Sequence, residues 1–361
     1  MKHQKRIHLG IFAFMGMFVL IFDGKTAIVG AQEGVTLCLH TLIPSLFPFL
    51  VLSSLINSLL IGRKIAFLRP IGKLCGIPSG AESILLLGLL GGYPVGAQSI
   101  ADAYGNGHLS KPAAHRLLGF CNNAGPAFLF GIIAAKFTSP STGWLIWAIH
   151  ILSALIVGTL LQKKEQSACS LSAAKPITLP QALETSIKTM AKICGWVVLF
   201  RVLLSVLRRW LFWLIPLWLQ VLLTGALELA NGCVDLHLIP NEGLRFLLSV
   251  CMLSFGGLCV GMQTLSVTKE FGSGQYFPGK LLQCTISFLL AERLQYAIFP
   301  SSEVCHVSIL PCLLSLLMIV LIFAKAFNTY RKSSTNAKNQ TVLNINQNLS
   351  NNCSNSCKNH V

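Results

Sequence analysis

The chain has 361 residues, of which 53% are hydrophobic and only 11% charged, and its net charge is +16. Soluble domains carry roughly a quarter charged residues, so this chain lacks the polar surface of a water-soluble fold and is expected to be an all-α, polytopic membrane protein. The positive charge does not point to nucleic acid, because Lys and Arg collect in short loops and at the ends of apolar runs, where cytoplasmic loops and snorkelling side chains place them.

The N-terminus reads MKHQKRIHLGIFAFMGMFVLIF, basic and then apolar. No small-residue cleavage site follows cleanly, so it reads more readily as a retained first span than as a signal peptide, giving a first segment over residues 1–34. Apolar runs then cover Val35–Ile61, Ile84–Ile100, Ala113–Ala135 and Gly143–Leu161, a first membrane half over 35–161. A polar connector with Pro176 and Pro180 follows at 162–192. The second half, 193–327, holds the runs Ile193–Leu207, Leu211–Leu229, Gly243–Val267, Lys280–Phe299 and Val307–Phe327. Residues 328–361 form an Asn-rich tail whose composition reads as disordered. A crossing takes roughly 20 apolar residues. Several runs fall short or are interrupted by Gly and Pro, so about eight transmembrane helices are expected, with broken or re-entrant helices among them.

Two strings organise this chain. GGYPVGAQ at Gly91–Gln98 returns as GGLCVGMQ at Gly256–Gln263, each a GGxxVGxQ. Other features keep the same order: SGAES at Ser79–Ser83 and TGALE at Thr224–Glu228 precede the strings, and two proline–basic–leucine segments follow them. The halves are therefore read as sequence-related. Lipid offers no hydrogen bonds, so broken backbone is tolerated only inside protein or beside a cavity. Gly91, Gly92 and Gly96 permit turns and close approach, and Pro94 removes a donor. Each string is read as a buried helix break whose freed N–H and C=O groups address a solute, as in repeat-built transporters. Tight glycine packing between intact helices is the competing reading.

Polar residues near the strings are the candidate ligand-binding groups. Gln98 and Gln263 end the strings, carry both donor and acceptor, and are expected to face one central solute or else to join helices. Glu82 and Glu228 are carboxylates in apolar context, suited to a cation, a proton or an amine, or to a structural cap. Asp102 and Glu292 are weaker versions. FCNNAGPAF places Asn122 and Asn123 in what reads as an apolar helix just before Gly125–Pro126, and adjacent residues do not share a helix face. Tyr93 and Arg201 are candidates for the same region. The 13 cysteines lie mostly in apolar runs without a CxxC pair, which suggests no disulfide framework and no metal cluster. No HExxH, P-loop or GxSxG is present, so neither enzyme nor cofactor is expected.

Together, PSLFPFLVLSSLI at Pro44–Ile56, GGYPVGAQ, LLGFCNNAGPAFL at Leu117–Leu129, TGALELANG at Thr224–Gly232 and LSFGGLCVGMQTLSV at Leu253–Val267 resemble the sporulation integral membrane proteins of spore-forming Firmicutes. Those fall in the wider nucleoside-recognition, or Gate-domain, group, which is similar to parts of concentrative nucleoside transporters and of the ferrous-iron transporter membrane domain. The resemblance implies a multi-pass protein of the cell membrane needed in spore formation. It maps family positions onto Gly91, Gly92, Tyr93, Pro94, Gly96, Asn122, Asn123, Gly256, Gly257 and Gln263. The expected function is a transporter or channel-like protein for a small polar solute or cation, and the alternative is a non-transporting scaffold or receptor in a sporulation complex. Expected partners are the lipid bilayer, that solute, and other copies or sporulation membrane proteins, with no nucleic acid.

Overall fold

The computed structural model describes residues 20–162 and 176–300, together with Gly10, Phe14 and residues 16–18. The described residues from 20 onward lie in one compact unit, and every element below belongs to it. The expected span Val307–Phe327 and the tail fall outside the described residues, as do residues 1–9 and part of the apolar run that follows them.

Every regular element among the described residues is helical. Helix α1 (Gly24–Leu37) passes through a wide turn at Cys38–Leu42 into α2 (Ile43–Leu60). These 37 residues form one apolar helical run, which would measure about 55 Å if straight, against a hydrocarbon core of about 30 Å. The helix starts well before the apolar run at Val35. The reason is its partner, α9 (Leu179–Trp210), a 32-residue helix opened by a capping box between Thr178 and Gln181. Gly30 and Gly34 let the two backbones approach: a Cβ on Gly30 would stand 3.1 Å from Val202 Cα, and one on Gly34 3.0 Å from Val198 Cα. Beside them, Glu33 Oε2 pairs with Arg201 Nη2 at 2.7 Å.

Helix α9 is ordered as a membrane helix should be. Leu183, Ile187, Leu199 and Leu203 are exposed on one side, while Ala182, Ser186, Thr189 and Val197 are buried on the other. Lipid tails are as apolar as leucine, so small and polar residues, not large ones, hold such helices together.

The remaining helices are α3 (Arg69–Leu74), α4 (Glu82–Leu90), α5 (Val95–Gly105), α6 (Lys111–Leu117), α7 (Pro126–Phe128), α8 (Pro140–Leu160), α10 (Leu217–Leu227), α11 (Leu229–Asp235), α12 (Glu242–Phe255), α13 (Gly257–Val267) and α14 (Tyr276–Ile298). Among the described residues, four segments are long and apolar enough to cross a membrane: Gly24–Leu60, Pro140–Leu160, Leu179–Trp210 and Glu242–Val267. The chain is a multi-pass membrane protein. In an apolar 18-residue stretch of the last segment 83% of residues are buried, against 22% in the first and third, so the last forms the centre while they face lipid. Helix α12 packs against α8 and α14, and α13 against α5.

Candidate functional site

Both GGxxVGxQ strings interrupt a helix. The first ends α4 at Gly91, turns at Gly92 with φ of +78°, and restarts at Val95 after a cis Tyr93–Pro94 bond. The second divides α12 from α13 at Gly256 and Gly257, whose φ values are +82° and +79°. Only glycine adopts such angles without strain. The helix following each break runs for 11 residues. The second copy breaks without a proline, because two left-handed glycines suffice.

The two breaks touch. Tyr93 Oη donates to the Leu253 carbonyl at 3.4 Å. That carbonyl lies in the last turn of α12, where carbonyls lose their helical partners. A Cβ on Gly256 would stand 2.7 Å from Tyr93 Oη, so the second break leaves room for the aromatic ring of the first.

The loop between α6 and α7 fills the space behind them. Phe120–Ala124 is not helical, in contrast to the helix expected there. Its backbone lies where a helix could not fit: a Cβ on Gly88 or on Gly96 would overlap the Cys121 carbonyl oxygen. The two asparagines supply the hydrogen bonds that the irregular backbone needs. Asn122 Oδ1 accepts from Ala97 N at 3.2 Å, and its Nδ2 donates to Thr264 Oγ1 at 2.9 Å. Ala97 is the third residue of α5, so Asn122 does from a distance what an N-cap does locally, and at the same time ties α5 to α13. Asn123 faces the other way: its N–H reaches Gly88 O at 3.2 Å, its Nδ2 Phe120 O at 2.6 Å, and its Oδ1 accepts from Lys280 Nζ at 2.9 Å.

Lys280 is the residue that sequence reasoning passed over. It is fully buried, donates also to Gln283 Oε1 at 2.8 Å, and lies 5.2 Å from the centroid of the Tyr93 ring. Among the described residues it has no carboxylate partner. Gln283 Nε2 reaches the His150 carbonyl at 3.2 Å, and a buried chain continues from His150 through Ser254 and Ser287 to Ser153. The signal was present in the sequence. Lys280, Gln283, Ser287 and Gln295 recur at helical spacing on α14, and all four are fully buried. Read only as the edge of an apolar run, Lys280 looked like a snorkelling side chain.

The other candidates separate into two places. Tyr93, Gly125, Glu228 and Gln263 border a cavity of about 40 Å³. Gln98 borders a different one of about 30 Å³, with Asn57 and Asp102. Gln98 and Gln263 thus follow equivalent breaks without facing one another, since each helix turns its glutamine to a different neighbour: Gln98 Nε2 donates to Asp102 Oδ1 at 2.8 Å, while Gln263 Nε2 meets Cys259 Sγ at 3.4 Å. Asn122 and Asn123 border neither cavity.

Glu228 caps α11, accepting from Ala230 N at 3.2 Å and from Asn231 N at 2.7 Å. Arg201 reaches it indirectly, through a 2.7 Å bond to Asn231 Oδ1. Glu82 opens α4 at the end far from the break, accepts from Gly80 N at 2.7 Å and pairs with Arg69 at 2.9 Å. Eight residues of helix separate it from Gly91, about 13 Å along the axis. Glu292 pairs with its neighbour Arg293 at 3.4 Å. Among the described residues, no three His, Cys, Asp or Glu come together as metal ligands.

A cavity of one water probe, about 10–15 Å³, suffices for a water, whereas ligand pockets run to about 300–1,000 Å³. The junction is therefore closed around its own polar groups.

No family model matches the chain. No solved structure matches it. It is similar to the sporulation integral membrane protein YlbJ of Bacillus subtilis (strain 168), with 26% identity over 317 residues, covering 73% of this chain and 76% of that protein.

Proposed function

We propose that the chain is a sporulation-associated membrane transporter for a small polar solute, with its binding region closed in this conformation. In this reading two related halves, making about eight crossings, each contribute one interrupted helix, and the solute binds where the interruptions meet. The observation that carries it is the contact of Tyr93, in the first break, with the Leu253 carbonyl exposed by the second. Two ionisable side chains flank that contact, Lys280 above the Tyr93 ring and Glu228 at the adjoining cavity. Buried charges inside a membrane bundle mark solute or ion paths more often than they add stability. The likeness to YlbJ supports the sporulation role. On this account the ligand-binding groups are Tyr93, Gln263, Asn122, Asn123 and Glu228, with Lys280 added. Gly91, Gly92, Pro94, Gly96, Gly256 and Gly257 shape the breaks, Gln98 serves the neighbouring cavity, and Glu82 holds the entry loop of α4.

A scaffold is the second reading, and the tight glycine contacts around Cys121 favour it. Flux separates the two. Purified protein in proteoliposomes is screened for uptake of nucleosides, metal ions and small acids, with Asn122→Ala and Lys280→Met as comparisons. Transport is expected to show saturable uptake of one class, reduced at least tenfold in both variants. Folded protein that moves and binds none of them supports the scaffold.

A further inference from the structure

Nine of the twelve residues around the cavity beside the first break carry a side-chain oxygen, and Leu50, Pro94 and Val95 complete its wall. It lies among α2, the first turns of α5, and α9, and Ser53, Asn57, Gln98, Ser99, Asp102 and Thr189 are on its wall. Asp102 is the carboxylate. Gln98 Nε2 reaches its Oδ1 at 2.8 Å and Asn57 Nδ2 its Oδ2 at 3.4 Å. Among the described residues it has no Lys, Arg or His within ion-pair distance.

The second observation is Asn57 itself. It is only 7% exposed, and its Oδ1 is buried without a hydrogen-bond partner. Turning the amide over would not help, because the oxygen would then face the carboxylate. The nitrogen belongs to Asp102, and the oxygen is the atom left over. A buried acceptor with no donor is costly, and a partly buried carboxylate without a counter-charge beside it adds to that cost. One small cation satisfies both. Oxygen ligands suit a hard ion, and the single carboxylate balances one positive charge, whereas calcium and magnesium usually draw on more than one acidic ligand or on substrate phosphates. About 30 Å³ holds such an ion with a water, and nothing larger.

We propose that Asp102, Asn57 and Gln98 bind a small monovalent cation, with sodium as the ion to test. The site stands on its own geometry whether or not a solute crosses at the junction. Full-length protein in detergent is melted across a sodium chloride series, with choline chloride keeping ionic strength constant. Sodium is expected to raise the melting temperature saturably, and 22Na⁺ binding to follow the same curve. Asp102→Asn should weaken the apparent sodium affinity at least tenfold, and Glu292→Gln should leave it unchanged. Where Asp102→Asn fails to fold, Asn57→Leu decides, because it keeps the carboxylate and removes the orphan oxygen; it too should lose at least tenfold. Equal responses to sodium and choline, or a sodium response that survives in the folded variant, overturn the site. So does a wild type blind to sodium whose stability responds instead to acid through Asp102, which makes the occupant a proton.

Discussion

Asn122 and Asn123 show how two adjacent side chains hold an irregular backbone inside a membrane. Each faces a different helix, and each satisfies a group that lipid would leave bare. Asn122→Ala leaves the Ala97 N–H and the Thr264 hydroxyl without that partner, so stability should fall by about 1–3 kcal/mol. The exposed Asn106→Ala serves as the comparison in detergent melts and should change it little. Gly96→Ala should be worse, because the new methyl meets the Cys121 carbonyl, a backbone atom that cannot swing aside. Gly131→Ala, with open space around its Cβ position, should be neutral or slightly stabilising, by up to about 1 kcal/mol. The asparagine pair was legible in the sequence, but its conformation was not. FCNNAG looks helical by its apolar neighbours, and only the glycines of two other helices, Gly88 and Gly96, reveal that the strand of chain between them is a loop. Lys280 was hidden for a simpler reason: it stands at the start of an apolar run, where lysines commonly reach for the interface.

At the level of the helices, the breaks were the most legible feature. Paired glycines in an apolar run have few other uses, and both pairs turn left-handed here at three of their four positions. What spacing could not convey is which neighbour each following helix meets. Gln98 and Gln263 occupy equivalent places in their strings, yet α5 turns one toward α2 and α9 while α13 keeps the other by Glu228. The start of α1 was equally opaque, because its first turns owe their place to packing on α9 and not to their own hydropathy. Gly30→Leu tests that packing. Its side chain would enter the space held by Ser205 and Val202, and overpacking of this kind costs about 1–3 kcal/mol. A lowered melting temperature with loss of folded protein in size-exclusion profiles is the expected result, whereas Val29→Leu, on the exposed side, should melt as the wild type does.

For the whole molecule, the arrangement is a lipid-facing pair, α1–α2 with α9, beside a centre that is broken twice and polar at both breaks. Asn122, Asn123 and Glu228 hold irregular backbone there, and under the proposed transport role they and Lys280 also meet the solute. Under the proposed transport role, the breaks part to admit a solute and close again through Tyr93. A photo-reactive benzoylphenylalanine in place of Tyr93 tests this most directly. Flux in proteoliposomes is measured before and after irradiation, for the solute that the uptake screen identifies, and the cross-linked peptide is mapped by mass spectrometry. The predicted result is a cross-link within residues 253–257 and a loss of flux in proportion to its yield. A cross-link elsewhere, or flux that persists when the two breaks are joined, would contradict it.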